Sequence, residues 1–137
     1  MEYRRGLIGL LIIFNIILSG VLIYNDKAGS DICLTGGSCE LVQNSQYSQL
    51  FGLKLTNLGV IAFTALLGLY IIYLKKLNKH LERLFILASI IGALMALSFM
   101  YIQFFLIGAT CSNCMIIDSF AIIIALLALY DLKKKKN

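Results

Sequence analysis

Four apolar runs dominate the chain, at 7–24, 58–74, 84–107 and 115–132. An α-helix needs about 20 predominantly apolar residues to cross the ~30 Å hydrocarbon layer of a bilayer. Each run is close to that length or exceeds it. With 60% of its 137 residues hydrophobic and no proline to interrupt the runs, the chain reads as an all-α membrane protein. The predicted fold is one domain over 1–137, a bundle of four transmembrane helices with an external loop at 25–57. Arg4 and Arg5 precede the first run as in a signal peptide, but the run is longer than a signal's apolar region and no A-x-A-like cleavage site follows it. It is therefore read as a retained first helix.

The basic residues orient the bundle. Arg4 and Arg5 lie before the first run, Lys75, Lys76, Lys79 and Arg83 between the second and third, and Lys133 to Lys136 after the fourth; of the 12, only Lys27 and Lys54 fall elsewhere. The positive-inside rule then puts both termini and the 2–3 connection in the cytoplasm of a cell with this protein in its plasma membrane. The net charge of +5 is a topology signal and an attraction to the lipid bilayer's anionic headgroups. No aromatic residues interleave with the lysine tail as a nucleic-acid surface requires, and no nucleic-acid partner is expected.

The same orientation puts all four cysteines outside, where disulfides are permitted. Cys33 and Cys39 lie in the loop, and Gly36-Gly37 between them can reverse the chain so that they meet. The second half of the loop sets Leu41, Val42, Leu50 and Phe51 among polar residues in a loosely helical pattern, predicting a short amphipathic cap helix over the outer end of the bundle. Cys111 and Cys114 form a C-x-x-C at the start of the fourth helix, where the macrodipole and free N–H groups favour a thiolate. Ser112 or Asn113 is the expected cap of that helix.

One cysteine pair on a loop and one at the membrane boundary make the layout of an electron relay by thiol–disulfide exchange. There is no G-x-G-x-x-G fingerprint and no C-x-x-C-H, and His80 is on the cytoplasmic side. The expected electron acceptor is a quinone dissolved in the membrane, with no metal and no nucleotide. Two other readings stay open on the residues alone: a zinc-binding membrane protein whose four thiols hold the metal, and a structural membrane protein with two stapled loops. Asp118 is four residues after Cys114 and on the same helical face. It either tunes proton delivery near the quinone or complements the helix N-terminus. Asn57, at the start of the second helix, is a cap or a donor to the quinone. Tyr101 and Gln103 stand near the outer end of the third helix, a depth that tyrosine favours in any membrane protein. Ser19, Ser89, Ser98, Gly20, Gly68 and Gly92 read as small packing residues between helices.

The C-x5-C at Cys33 and Cys39, Ser45 six residues later, "YSQLFGLKLTNLG" leading into a helix, and "CSNC" opening the last helix together resemble the vitamin K epoxide reductase family. The resemblance is to its prokaryotic members, which reoxidise disulfide-forming proteins. The unrelated disulfide-bond protein B has the opposite order, with C-x-x-C in the first external loop. The resemblance implies that Cys33 exchanges with a thioredoxin-like partner, that Cys39 shuttles to Cys111, and that Cys114 passes electrons to a quinone of the menaquinone or ubiquinone type. It also implies that Ser45 orders the loop cap. Ser45, Phe51, Asn57, Tyr101 and Asp118 are the residues expected around the quinone. Lys54 stands where the family often has proline, and Asp118 where members acting on vitamin K have a tyrosine, so reduction in a vitamin K-type cycle is the alternative. Some homologues carry a fused thioredoxin-like domain; here the partner is expected to be a separate thioredoxin-like disulfide oxidant protein.

Overall fold

The first, second and fourth apolar runs each form the centre of a longer helix. The computed structural model describes residues 2–29, 42, 45–50 and 53–136. In it α1 spans Glu2–Ala28, α2 Leu55–Lys76, α3 Lys79–Tyr101 and α4 Ser112–Lys136. All four are long and apolar enough to cross a membrane. They overrun the apolar stretches because hydropathy marks what sits in hydrocarbon, whereas backbone hydrogen bonding continues into the flanks. Lysine is a good helix former and favours the negative end of the macrodipole. Lys75 and Lys76 occupy the last turn of α2 in this way. The third run departs from expectation, since α3 gives way to a π-turn over Ile102–Ile107 that stops at Gly108 in the left-handed region.

A two-residue connection makes α2 and α3 antiparallel neighbours. Leu77 turns left-handed and donates its N–H to the Tyr73 carbonyl at 2.9 Å. Asn78 then caps α3, its Oδ1 accepting the His80 N–H at 3.2 Å. The helices close into a ring in which α1 packs on α2 and α4, and α3 on α4, while the α2–α3 seam is the thinnest. In lipid no hydrophobic force holds helices together, and close approach at small residues substitutes for it. A Cβ on Gly59 would meet the Ser19 side chain at 3.4 Å and one on Gly9 the Tyr70 ring at 3.5 Å. These glycines, rather than the expected Gly20 and Gly68, which face open space, bring α1 and α2 together. Ser98 is exposed and bonds the Leu94 carbonyl of its own helix at 2.9 Å.

The end of the bundle bearing the basic residues is solid. Ile8, Ile12, Tyr70, Tyr73, Phe85 and Ile124 form its core, with the Tyr70 and Phe85 ring centroids 5.0 Å apart. The Tyr70 hydroxyl donates to the Arg5 carbonyl at 2.7 Å. Arg4 pairs with Asp131 at 2.9 Å and lies over the Tyr130 ring at 5.1 Å, joining the two termini. At the opposite end Ser45 begins a short 3-10 turn, Gln46–Ser48, followed by a hairpin of β1, Gln49–Leu50, and β2, Leu53–Lys54, in the register Gln49 to Lys54 and Leu50 to Leu53. Val42 is helical and buried. Of the expected cap helix, the described part from Ser45 to Leu50 is this turn and strand instead, and Cys33, Cys39, Leu41 and Phe51 lie outside the described residues.

Candidate functional site

The open end of the bundle is organised around the head of α4. The Cys111 carbonyl accepts the Met115 N–H at 2.9 Å, the first bond of the helix, which makes Cys111 the N-cap. Its Sγ accepts the Cys114 N–H at 3.3 Å, the bond an N-cap serine or aspartate oxygen would make. The thiol itself therefore caps the helix, in place of the expected Ser112 or Asn113, which fall in the first turn. Asn113 is buried there. The Cys111 N–H, which lies outside the helical ladder, donates to Oε1 of Gln103 at 3.2 Å.

Gln103 reaches that position because of the π-turn. The wider i to i+5 geometry changes which side chains of the segment face inward: Gln103 is 4% exposed, whereas Phe104, Phe105 and Leu106 are exposed. Tyr101, an expected site residue, is 59% exposed and stacks on Phe105 with centroids 4.7 Å apart.

The two cysteines have different surroundings. Cys111 is fully buried beneath Val42, with Ile107 and Ala109 packed around it. Ser45 closes the turn that holds Val42 there, its hydroxyl donating to the Val42 carbonyl at 2.8 Å. Cys114 lies on the wall of a cavity of about 640 Å³ to which all four helices contribute. Ser19 of α1, Phe63 of α2, Met95 and Phe99 of α3, and Asp118 of α4 also line it. Apart from Ser19, Lys54, Thr56, Cys114 and Asp118 the wall is apolar. Asn57 is half-buried in the first turn of α2, which begins two residues earlier than it. Asn57, Ser45 and Tyr101 are not among the lining residues; Asp118 is.

Hydrogen bonding to sulfur sets the reactivity of the pair. A bond from the Cys114 thiol holds the Cys111 thiol below its ordinary range; burial opposes this, and the backbone N–H groups of Cys114 and Asn113 assist it. The reactive form of a thiol is the thiolate, and these hydrogen bonds favour that form at Cys111. Both cysteines are free thiols. Among the described residues no three His, Cys, Asp or Glu side chains converge as metal ligands. Cys33 and Cys39, which a four-thiolate zinc site requires, are outside that set.

Gln103 is the residue that sequence patterning undervalues, since its part depends on a π-turn that hydropathy does not reveal. Gly92, read from the sequence as a packing residue between helices, instead lines the α3 wall of the cavity with Ala88 and Ala96.

Fold and site together define a class: a multi-pass membrane protein whose last helix opens with a dithiol beside an apolar chamber. The family profile described as Vitamin K epoxide reductase family matches residues 5–129. The chain belongs to that family, and so is a membrane oxidoreductase from a family associated with quinones. No curated protein matches it in direct sequence comparison.

Proposed function

We propose that the chain is a quinone-dependent thiol–disulfide oxidoreductase that reoxidises a separate thioredoxin-like protein outside the cytoplasm. The observation that carries this reading is the asymmetry of the C-x-x-C pair: Cys111 lies under the loop at Val42, and Cys114 lines the cavity. Val42 is three residues from Cys39, a tether of about 10 Å when fully extended. The cavity has the size and the largely apolar lining of small-molecule sites, which suits a quinone ring with part of its tail. A quinone supplies a two-electron sink that dissolves in the membrane.

In this reading the partner's dithiol loses two electrons and two protons to the Cys33–Cys39 disulfide. Cys39 passes the electrons to Cys111, and the Cys114 thiolate delivers them to the quinone, which becomes quinol. Asp118, on the same wall one turn from Cys114, is the one carboxyl among the described lining residues and holds a proton for that step. The basic end of the bundle faces the cytoplasm and the cysteines face outside.

Purified protein mixed with a reduced thioredoxin-like protein and a quinone is expected to reduce the quinone without added metal or nucleotide. Cys111→Ala and Cys114→Ala should each abolish this. Full activity in either variant overturns the mechanism, and loss of activity on chelation points to zinc.

A further inference from the structure

Within the relay just proposed, the buried amide of Gln103 has no assigned part, although its oxygen accepts from the backbone N–H of the buried cysteine. An N-cap residue's own N–H has no backbone partner within the helix it starts. In a buried site that donor requires an acceptor. Oε1 of Gln103 provides it at 3.2 Å, across eight residues of chain. The left-handed Gly108 and the π-turn make this return path possible.

We propose that Gln103 is the positioning residue of the exchange cysteine: its Oε1, turned inward by the π-turn, fixes the Cys111 backbone so that the Cys111 sulfur sits over the first turn of α4. The consequence follows from the geometry of the cap. The Cys111 Sγ receives the Cys114 N–H only while the Cys111 backbone holds its N-cap conformation. Loss of the Gln103 acceptor frees that backbone, and the sulfur leaves the donors that stabilise its charge. Cys114 and Asp118 of α4 interact electrostatically with this sulfur, and Lys54 of β2 lines the cavity beside them. The π-turn and the loop present Gln103, Ile107 and Val42, none of which titrates.

The test uses two variants of the reduced full chain in detergent. Gln103→Met keeps the volume and removes the acceptor, whereas Gln103→Glu keeps an oxygen of the same reach. With nitrogen-15 cysteine, the Cys111 amide is expected to exchange with solvent about tenfold faster in Gln103→Met, the loss of one hydrogen bond. It should return to the wild-type rate in Gln103→Glu. The pH midpoint of Cys111 thiolate absorbance, taken as a difference from the Cys111→Ala protein, should rise in Gln103→Met. Wild-type amide exchange or an unmoved midpoint in Gln103→Met overturns the proposal. Where Gln103→Met does not fold, an unprotected Cys111 amide in Gln103→Glu overturns it instead, and a protected one supports it. Neither readout involves a quinone. Failure of the relay, seen as absent quinone reduction by the wild-type chain, is therefore distinguishable from failure of the positioning role.

Discussion

A cysteine that caps its own helix carries a pH signature. The Cys111 thiol is held below its ordinary range chiefly by the bond from the Cys114 thiol, so the folded state binds the proton less tightly than the unfolded chain, whose cysteines titrate near ~8.5. By linkage, the reduced protein gains stability that is fully present above the unfolded value and is lost as pH falls through the folded one. Thermal denaturation of reduced protein should show the gap between wild type and Cys111→Ala widening as pH rises toward the unfolded value and levelling above it. Cys114→Ala removes the principal donor, and should move the thiolate absorbance midpoint of Cys111 upward; an unmoved midpoint would locate the cause elsewhere. At this scale the sequence is legible where chemistry is local. C-x-x-C before an apolar run marks a thiol at a helix N-terminus, and Asp118 falls on the Cys114 face because helical spacing requires it. The identity of the cap is not legible. Ser112 and Asn113 are better caps in isolation, and Cys111 displaces them because Gln103 holds its N–H. Asn15 is similar: it is fully buried in α1, with neither amide atom bonded among the described residues, inside a run that hydropathy reads as uniform.

The elements themselves follow from apolar length, and their ends follow from backbone conformations that length does not encode. Leu77 terminates α2 with φ 45°, the one positive φ at a residue other than glycine among those described. A side chain in this region costs about 1–2 kcal/mol relative to glycine, and Leu77 is exposed, with little packing to lose. Leu77→Gly is expected to stabilise the protein by about 1 kcal/mol, read as a raised Tm in detergent with unchanged thiol chemistry. A lowered Tm would mean that the Leu77 side chain anchors the α2–α3 connection at the membrane surface. The contrasting α3–α4 connection already has its glycine, Gly108, at φ 65°. This explains why one turn is readable from a glycine after an apolar run and the other is not. The π-turn before Gly108 escapes sequence reading for a related reason. One residue of altered register leaves the run as apolar as before and changes only which side chain points inward.

Across the whole molecule, one end is filled and tied while the other is open. The aromatic core around Tyr70 and Phe85 and the Arg4–Asp131 pair close the basic end. The cavity lies toward the cysteine end, against the thinnest helix seam. This polarity is legible in the sequence from the basic residues at one end and the cysteines at the other. The shape of the chamber is not, because it depends on how far α2 stands from α3. The polarity also gives the order of transfer its test. In the proposed relay a reduced Cys39 attacks Cys111 of the Cys111–Cys114 disulfide, so that bond breaks, a Cys39–Cys111 bond forms, and Cys114 leaves as the thiolate beside the cavity. Cys33 then attacks Cys39, restoring the Cys33–Cys39 disulfide and freeing Cys111. Cys33→Ser removes the resolving thiol, and a Cys39–Cys111 bond tying the loop to α4 should accumulate during expression. Peptide mass spectrometry of thiol-blocked protein reads that link directly. If Cys33→Ser instead yields a Cys111–Cys114 bond with Cys39 free, and no cross-loop species after a pulse of reductant, Cys39 is not the shuttle. The partner would then have to deliver its electrons to Cys111 itself, displacing the Val42 cover to reach a sulfur that is fully buried.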